Sequence, residues 1–298
     1  MNGQDTAEKI GGIYAISALV DLKGDDAGQK TARFANCLRT VLRSSDTAAM
    51  VVAARAMGKL ATPGNPHTAE LVDAEVKASL ESLQIERNEG RRFAAVLTIR
   101  ELAHNAPTLL YQYVTEILEV IWVALRDPKV LIRESTAEAI SQLIEIIAAR
   151  DANFRDRWYL RIYTETGKGF QMNTTDTIHG SLLVVKELLL KGGMFMQNSG
   201  RYQDICDKIY SYKDHKELLI RREVITLTPI LASYYPTAFS HSYLHKFMIH
   251  LQGQLKRDKD RNPAFLAIGK VASAVGSSID TYLDSILVFI REALGVKA

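Results

Sequence analysis

The side chains best suited to chemistry in this 298-residue sequence are its seven histidines, its two cysteines and a few glycine-flanked or basic runs. His241 and His245 are four apart, the spacing that puts two imidazoles on one helical face, and His250 follows, so metal binding is the first chemistry to weigh. Two ligands do not make a site. There is no HExxH, no cysteine nearby and only ordinary carboxylate density, so these histidines read as surface or packing residues. Cys37 and Cys206 lie 169 residues apart with no CxxC, which points away from a zinc cluster or a disulfide framework and fits a reducing, cytosolic compartment. Gly167-Lys168-Gly169 and Gly192-Gly193 neither follow a strand nor fit the GxxxxGK[ST] phosphate cradle, and read as turns. No GxSxG elbow offers a nucleophile held beside a base. No catalytic residue, metal ligand set or cofactor site is therefore expected, and the segment is read as a non-enzyme.

Charge narrows the partners. The 37 basic and 34 acidic residues are interspersed and leave a formal +3, far from the concentrated field that nucleic acid requires. Ile220-Arg221-Arg222 and the run Lys256-Arg257-Asp258-Lys259-Asp260-Arg261 form a candidate basic surface, with Arg221, Arg222, Lys256 and Arg257 as its members; mixed charge at helix ends also reads as plain solvated surface. The N-terminus is polar and acidic where a signal peptide needs a basic region and an apolar core, and no apolar run approaches eighteen residues, so no membrane insertion is expected. Asn173-Thr174-Thr175 has the form of a glycosylation sequon and is read as a chance occurrence.

Whatever these residues do depends on the elements that hold them, and those elements repeat. Two adjacent small or apolar residues followed three positions later by a large aliphatic one recur seven times: Ala15-Ile16 with Leu19, Ala56-Met57 with Leu60, Thr98-Ile99 with Leu102, Ala139-Ile140 with Leu143, Val184-Val185 with Leu188, Thr226-Leu227 with Ile230, and Ala267-Ile268 with Val271. Successive first positions are 41, 42, 41, 45, 42 and 41 residues apart, the period of HEAT-type helix pairs. Each segment marks a second, or B, helix whose small positions allow a neighbouring backbone to come close. Between them lie A helices, clearest in the 3.6-period stripe Val114, Ile117, Leu118, Ile121 and Leu125, with others near 30–43, 68–83, 157–171, 202–212, 238–254 and 279–294.

The expected fold is all-α, an α-α superhelix of about seven HEAT-type pairs in a single solenoid over 1–298. Its pairs are 28–62, 66–105, 107–149, 156–192, 202–235 and 236–276, flanked by a lone second helix at 1–23 and a lone first helix at 279–294. Asp5 with Glu8, Asp46, Asp127, Asp176, and Asp258 or Asp260 are the expected N-terminal caps. Pro63 and Pro66 fall in a loop, Pro107 and Pro236 open A helices, and Pro128 and Pro263 are placed in first turns, while Pro229 should kink the sixth B helix. The glycine-rich stretch from Lys191 to Tyr202 reads as a mobile projecting loop. With no polar-faced terminal unit at either end, the array is expected to be part of a longer one.

One stretch is more specific than any helical period: Arg87-Asn88-Glu89-Gly90-Arg91-Arg92, continuing through Ala95-Val96-Leu97 to Arg100-Glu101-Leu102-Ala103. It resembles the target of rapamycin (TOR) kinases. Further matches follow in the same order, among them Arg33-Phe34-Ala35-Asn36, Asp127-Pro128-Lys129, Lys168-Gly169-Phe170, Ile178-His179-Gly180 and Ala264-Phe265 with Ala267. The resemblance covers nearly the whole chain. It implies the N-terminal HEAT region of a large Ser/Thr kinase that regulates growth in response to nutrients, with the kinase domain absent from this segment. It also implies contacts with a Raptor-type subunit, with other TOR segments in a dimeric complex and with a Rheb-type small GTPase, and peripheral association at the vacuolar or lysosomal membrane. The short 191–202 connection, where animal members carry a long insertion, implies a fungal-type member. The rival reading is a free HEAT adaptor of the importin or phosphatase-scaffold kind. The Arg87–Arg92 motif, at the turn into the third B helix, has two open roles: bonding helix ends and adjacent units, or binding a partner.

Overall fold

A computed structural model of the chain describes residues 5–20, 27–63, 67–85, 88–150, 155–198 and 200–295, and these hold helices and no strand. The helices group into two compact units, Met1–Met172 and Asn173–Ala298.

In the first unit the B layer is α1 (Thr6–Leu19), α3 (Thr47–Leu60), α5 (Glu89–Asn105) and α9 (Val130–Arg150), each packed on the next, as the repeated small positions require. In α3, Ala53, Ala54, Ala56 and Met57 are all buried. Gly58 shows how close the approach is: a Cβ there would meet Asn105 Nδ2 at 2.5 Å and Glu101 Cβ at 2.8 Å on α5. The A layer is α2 (Ala27–Leu42), α4 (Thr68–Ile85), a broken third member and α10 (Arg155–Met172). That third member consists of α6 (Pro107–Leu110), a 3₁₀ turn at Tyr111–Tyr113, α7 (Val114–Val120) and α8 (Trp122–Leu125). Its apolar stripe is buried throughout, but the helix expected to run through it is interrupted beside Trp122, whose indole N–H donates to the Leu118 carbonyl at 2.6 Å.

In the second unit the B layer is α11 (Thr175–Lys191), α13 (Leu218–Tyr234) and α16 (Asp258–Val275). The A layer is α12 (Arg201–Ser211), α14 (Pro236–Ser242) with α15 (Leu244–Leu255), and α17 (Leu283–Leu294), which follows a 3₁₀ segment at Gly276–Tyr282. Helix α13 runs unbroken through Pro229.

Several local expectations are corrected. Asp176 lies inside the first turn of α11, and the cap is Thr174, whose hydroxyl accepts from Thr177 N at 3.3 Å while the Thr177 hydroxyl accepts from Thr174 N. Asp258 and Asp260 also lie inside a first turn, after the N-cap Arg257. Asp5 caps α1 by accepting from Ala7 N. Pro128 sits ahead of α9, and Pro263 is the sixth residue of α16, not in its first turn. Pro66 lies outside the described residues. The connection after α11 does not project as a loose loop: Phe195 and Met196 are buried, and the Tyr234 hydroxyl donates to the Gly193 carbonyl at 2.6 Å and accepts from Met196 N at 3.0 Å. Aromatic packing drives this, since Tyr202 is buried against Tyr234, Tyr235 and Tyr243 with its hydroxyl on the Leu231 carbonyl.

Candidate functional site

The motif opens α5. Arg87 lies outside the described residues. Asn88 is the N-cap, its Oδ1 accepting from Arg91 N at 3.2 Å, and a Cβ on Gly90 would sit 3.2 Å from that same oxygen. Glu89 stands in the first turn, where a carboxylate suits the helix dipole, and its Oε1 is 2.6 Å from Lys129 Nζ at the entrance to α9. Arg92 reaches the same entrance, its Nε and Nη2 donating to Asp127 Oδ2 at 2.9 and 2.6 Å.

Asp127 is only 3% exposed and serves both repeats. Its Oδ1 accepts from Lys129 N at 2.9 Å, and its backbone carbonyl accepts from Arg133 Nη1 at 2.6 Å. Arg133 is itself buried and donates to the Pro128 carbonyl as well. Desolvating so much charge is tolerable only where every group is bonded, as it is here. At the α1–α3 joint a lighter version appears: the Thr6 hydroxyl donates to Asp46 Oδ2 at 2.6 Å while Asp46 Oδ1 caps Ala49 N, and these two bonds hold the Asp46 carboxyl below its ordinary pKa.

The basic-surface residues divide. Arg221 Nη1 donates to the His215 and Lys216 carbonyls at 2.7 and 2.9 Å, which closes the turn into α13. Arg222 crosses to α16, donating from Nη2 to the Lys259 carbonyl at 3.1 Å, with its Nε 3.7 Å from Asp260 Oδ1. That carbonyl would ordinarily accept the N–H of residue 263, and Pro263 has none to give. Arg222 thus occupies an acceptor that proline leaves open. Lys256 stands exposed at the end of α15, and Arg257 beside it bonds Gln254 Oε1 at 3.4 Å. The structure therefore brings Arg222 to α16, uses Arg221 locally, and leaves Lys256 and Arg257 on the surface at the α15–α16 turn.

A recurring bond was not anticipated. Arg133, Arg221 and Arg261 each donate to the carbonyl six residues earlier, of Asp127, His215 and Leu255. The signal is present in sequence, because an arginine stands five or six positions ahead of the small pair in four of the seven segments, at Arg92, Arg133, Arg221 and Arg261.

The histidines do not converge. His245 Nδ1 lies 3.1 Å from the Tyr282 hydroxyl, whereas His250 is 6% exposed with Nδ1 beside Gln254 Nε2, and burial holds its pKa down to about 4. Cys206 is buried, which pushes its thiol up to about 12, and Cys37 is exposed on α2. Among the described residues no group of three or more His, Cys, Asp or Glu side chains is placed to hold a metal ion, and no helix is long and apolar enough to cross a membrane.

A HEAT-like repeat family matches residues 90–143, the stretch containing the Arg92–Asp127–Arg133 joint. The chain is 37% identical over 297 residues to the Serine/threonine-protein kinase tor1 of Schizosaccharomyces pombe, covering 100% of this chain and 13% of that protein. It is 35% identical over 295 residues to the TOR kinase of Arabidopsis thaliana, covering 98% of this chain and 12% of that protein. Neither alignment needs a long insertion, in keeping with the short 191–202 connection. In fold, yeast importin-β (Kap95p) superposes with a TM-score of 0.64 at 15% identity, over 99% of this chain and 36% of that one. The chain thus spans about an eighth of the kinases it matches, and the stretch matched is their HEAT region, outside the kinase domain. By a match that runs its full length and by its helix-pair architecture, the chain belongs to the N-terminal HEAT-repeat region of the target of rapamycin kinases.

Proposed function

We propose that this chain is a non-catalytic scaffold segment of a TOR-type Ser/Thr kinase that regulates growth in response to nutrients. In this reading it assembles the kinase complex through contacts with a Raptor-type subunit and across the dimer. The observation that carries the reading is the full-length match to TOR kinases, on a fold in which side chains such as Arg92 and Arg222 join one repeat to the next. A Rheb-type small GTPase is a further partner under the same reading, and the parent complex would sit peripherally at the vacuolar or lysosomal membrane. No cofactor is assigned to the segment.

The test is retention of a purified Raptor-type subunit by the immobilised chain, with a crosslinking map to locate the contact. Specific retention is expected. Failure to retain either that subunit or other segments of the parent kinase would overturn the reading. A free adaptor, which shares the importin-type fold, makes the opposite demand on the gene: a native stop near residue 298 would favour it, and a reading frame continuing to a kinase domain would exclude it.

A further inference from the structure

Helices α11, α13 and α16 of the second unit leave a groove of about 730 Å3 along their flanks. Leu189 and Pro229 are buried in its lining, Ile230 and Ala274 are half-buried, and Leu190 is 57% exposed. Leu266, one turn ahead of Lys270 on α16, is 68% exposed. Apolar surface of this kind favours whatever takes it out of water. Lys270 is the only charged residue in the lining, whose other polar side chains are hydroxyls. It is exposed, and among the described residues no carboxylate pairs with it.

We propose that this groove docks an amphipathic helix of a protein partner, its aliphatic face on Leu190, Pro229 and Ile230 and a carboxylate at the edge of that face on Lys270. Charge selects the acid, because the one uncompensated charge in the lining is positive. The backbone selects the helix. The walls are helix flanks whose N–H and C=O groups are spent within each helix, so an extended peptide would find no ladder to join and would bury its own backbone groups unpaired. A helix arrives with those groups already bonded, and its aliphatic side chains one turn apart make a single apolar face. The existence of such a partner rests on the scaffold reading above.

The test is fluorescence anisotropy of the full chain with a fluorescein-labelled amphipathic peptide that carries Leu on one helical face, Glu at the edge of that face, and Ala and Gln elsewhere. Saturable binding is expected, and a benzophenone placed on the Leu face should crosslink to α11, α13 or α16. Affinity should fall about tenfold in Leu190→Asp and about fivefold in Lys270→Glu, and a peptide with Lys in place of Glu should recover binding to Lys270→Glu. Both positions are exposed, so the melting temperature should hold; if a variant lowers it, Leu190→Ser and Lys270→Gln make the same comparison without a new charge. No binding to wild type, equal affinity of wild type and either variant, crosslinks confined to other helices, or undiminished binding of a peptide whose helix is broken by a central proline would overturn the proposal. So would a groove that takes laurate through Lys270 and no peptide, which would make it a small-molecule site. The subunit pull-down is read separately: a wild-type chain that retains no complex subunit but binds the peptide through Leu190 and Lys270 overturns the scaffold reading and not the groove.

Discussion

At the α5–α9 joint the aspartate stands three residues ahead of the helix start; at the α13–α16 joint it is the third residue of the helix. Asp127 therefore has one oxygen for Lys129 N, the other for Arg92, and a free carbonyl for Arg133. Asp260 has its backbone N–H directed at the Arg257 carbonyl, and its Oδ1 finds Arg222 Nε only at 3.7 Å, beyond hydrogen-bond length. The arginines differ to match, with 15% of the Arg92 side chain exposed against 46% for Arg222. The same residue types thus give a dry, fully bonded joint in one unit and a looser one in the other, and the register of the acid against the helix start decides which.

The comparison breaks most visibly at Asp127. Replacing it with alanine leaves Arg92 and the helix entrance without their acceptor, and should cost about 3–5 kcal/mol in urea denaturation, the range for removing one partner of a buried pair. A loss under about 1 kcal/mol would equate it with a surface bridge.

In the second unit acid should act through His250. Asp214, Lys213, Arg257 and Asp260 face the imidazole of His250, and burial keeps its folded-state pKa near 4, below the unfolded 6.5. Its neutral form contributes stability that is fully present above pH 6.5 and lost as pH falls toward 4, on the order of 2 kcal/mol. His250→Gln should flatten that slope, read as stability against pH. In the first unit Glu75 works in the opposite sense, since burial raises its pKa and protonation relieves the carboxylate, so it adds nothing to acid loss.

The smallest effect is expected at Arg222. Its half-exposed side chain gives up one carbonyl bond and a long ion pair, so Arg222→Ala should shift stability by about 0.5–1 kcal/mol. A cost matching that of Asp127→Ala would erase the difference between the joints.

The B helices were legible because small pairs such as Ala56-Met57 and Ala139-Ile140 recur at a near-constant spacing that only close helix packing demands. The start of α5 was legible from the motif's place at the turn into the third B helix, although the Asn88 cap was not among those expected. Cap identity was less so: Thr174 and Asp176 both have side-chain acceptors, and only the backbone geometry chooses between them. The structured 192–198 connection was hidden because its anchor, Tyr234, lies about forty residues away and nothing local announces it. Pairing of Arg92 with Asp127 was half visible. Asp127 was expected as a cap, whereas its Oδ1 bonds Lys129 N ahead of the helix, and its role toward Arg92 depends on how far α5 carries a guanidinium toward α9, which sequence spacing does not fix.

A double-mutant cycle carried out in parallel on Arg92–Asp127 and Arg222–Asp260 tests the central claim most directly, because it separates each pair's coupling from the cost of each truncation. The account predicts a coupling of about 2–3 kcal/mol for the first pair and below about 0.5 kcal/mol for the second. Equal couplings would contradict it.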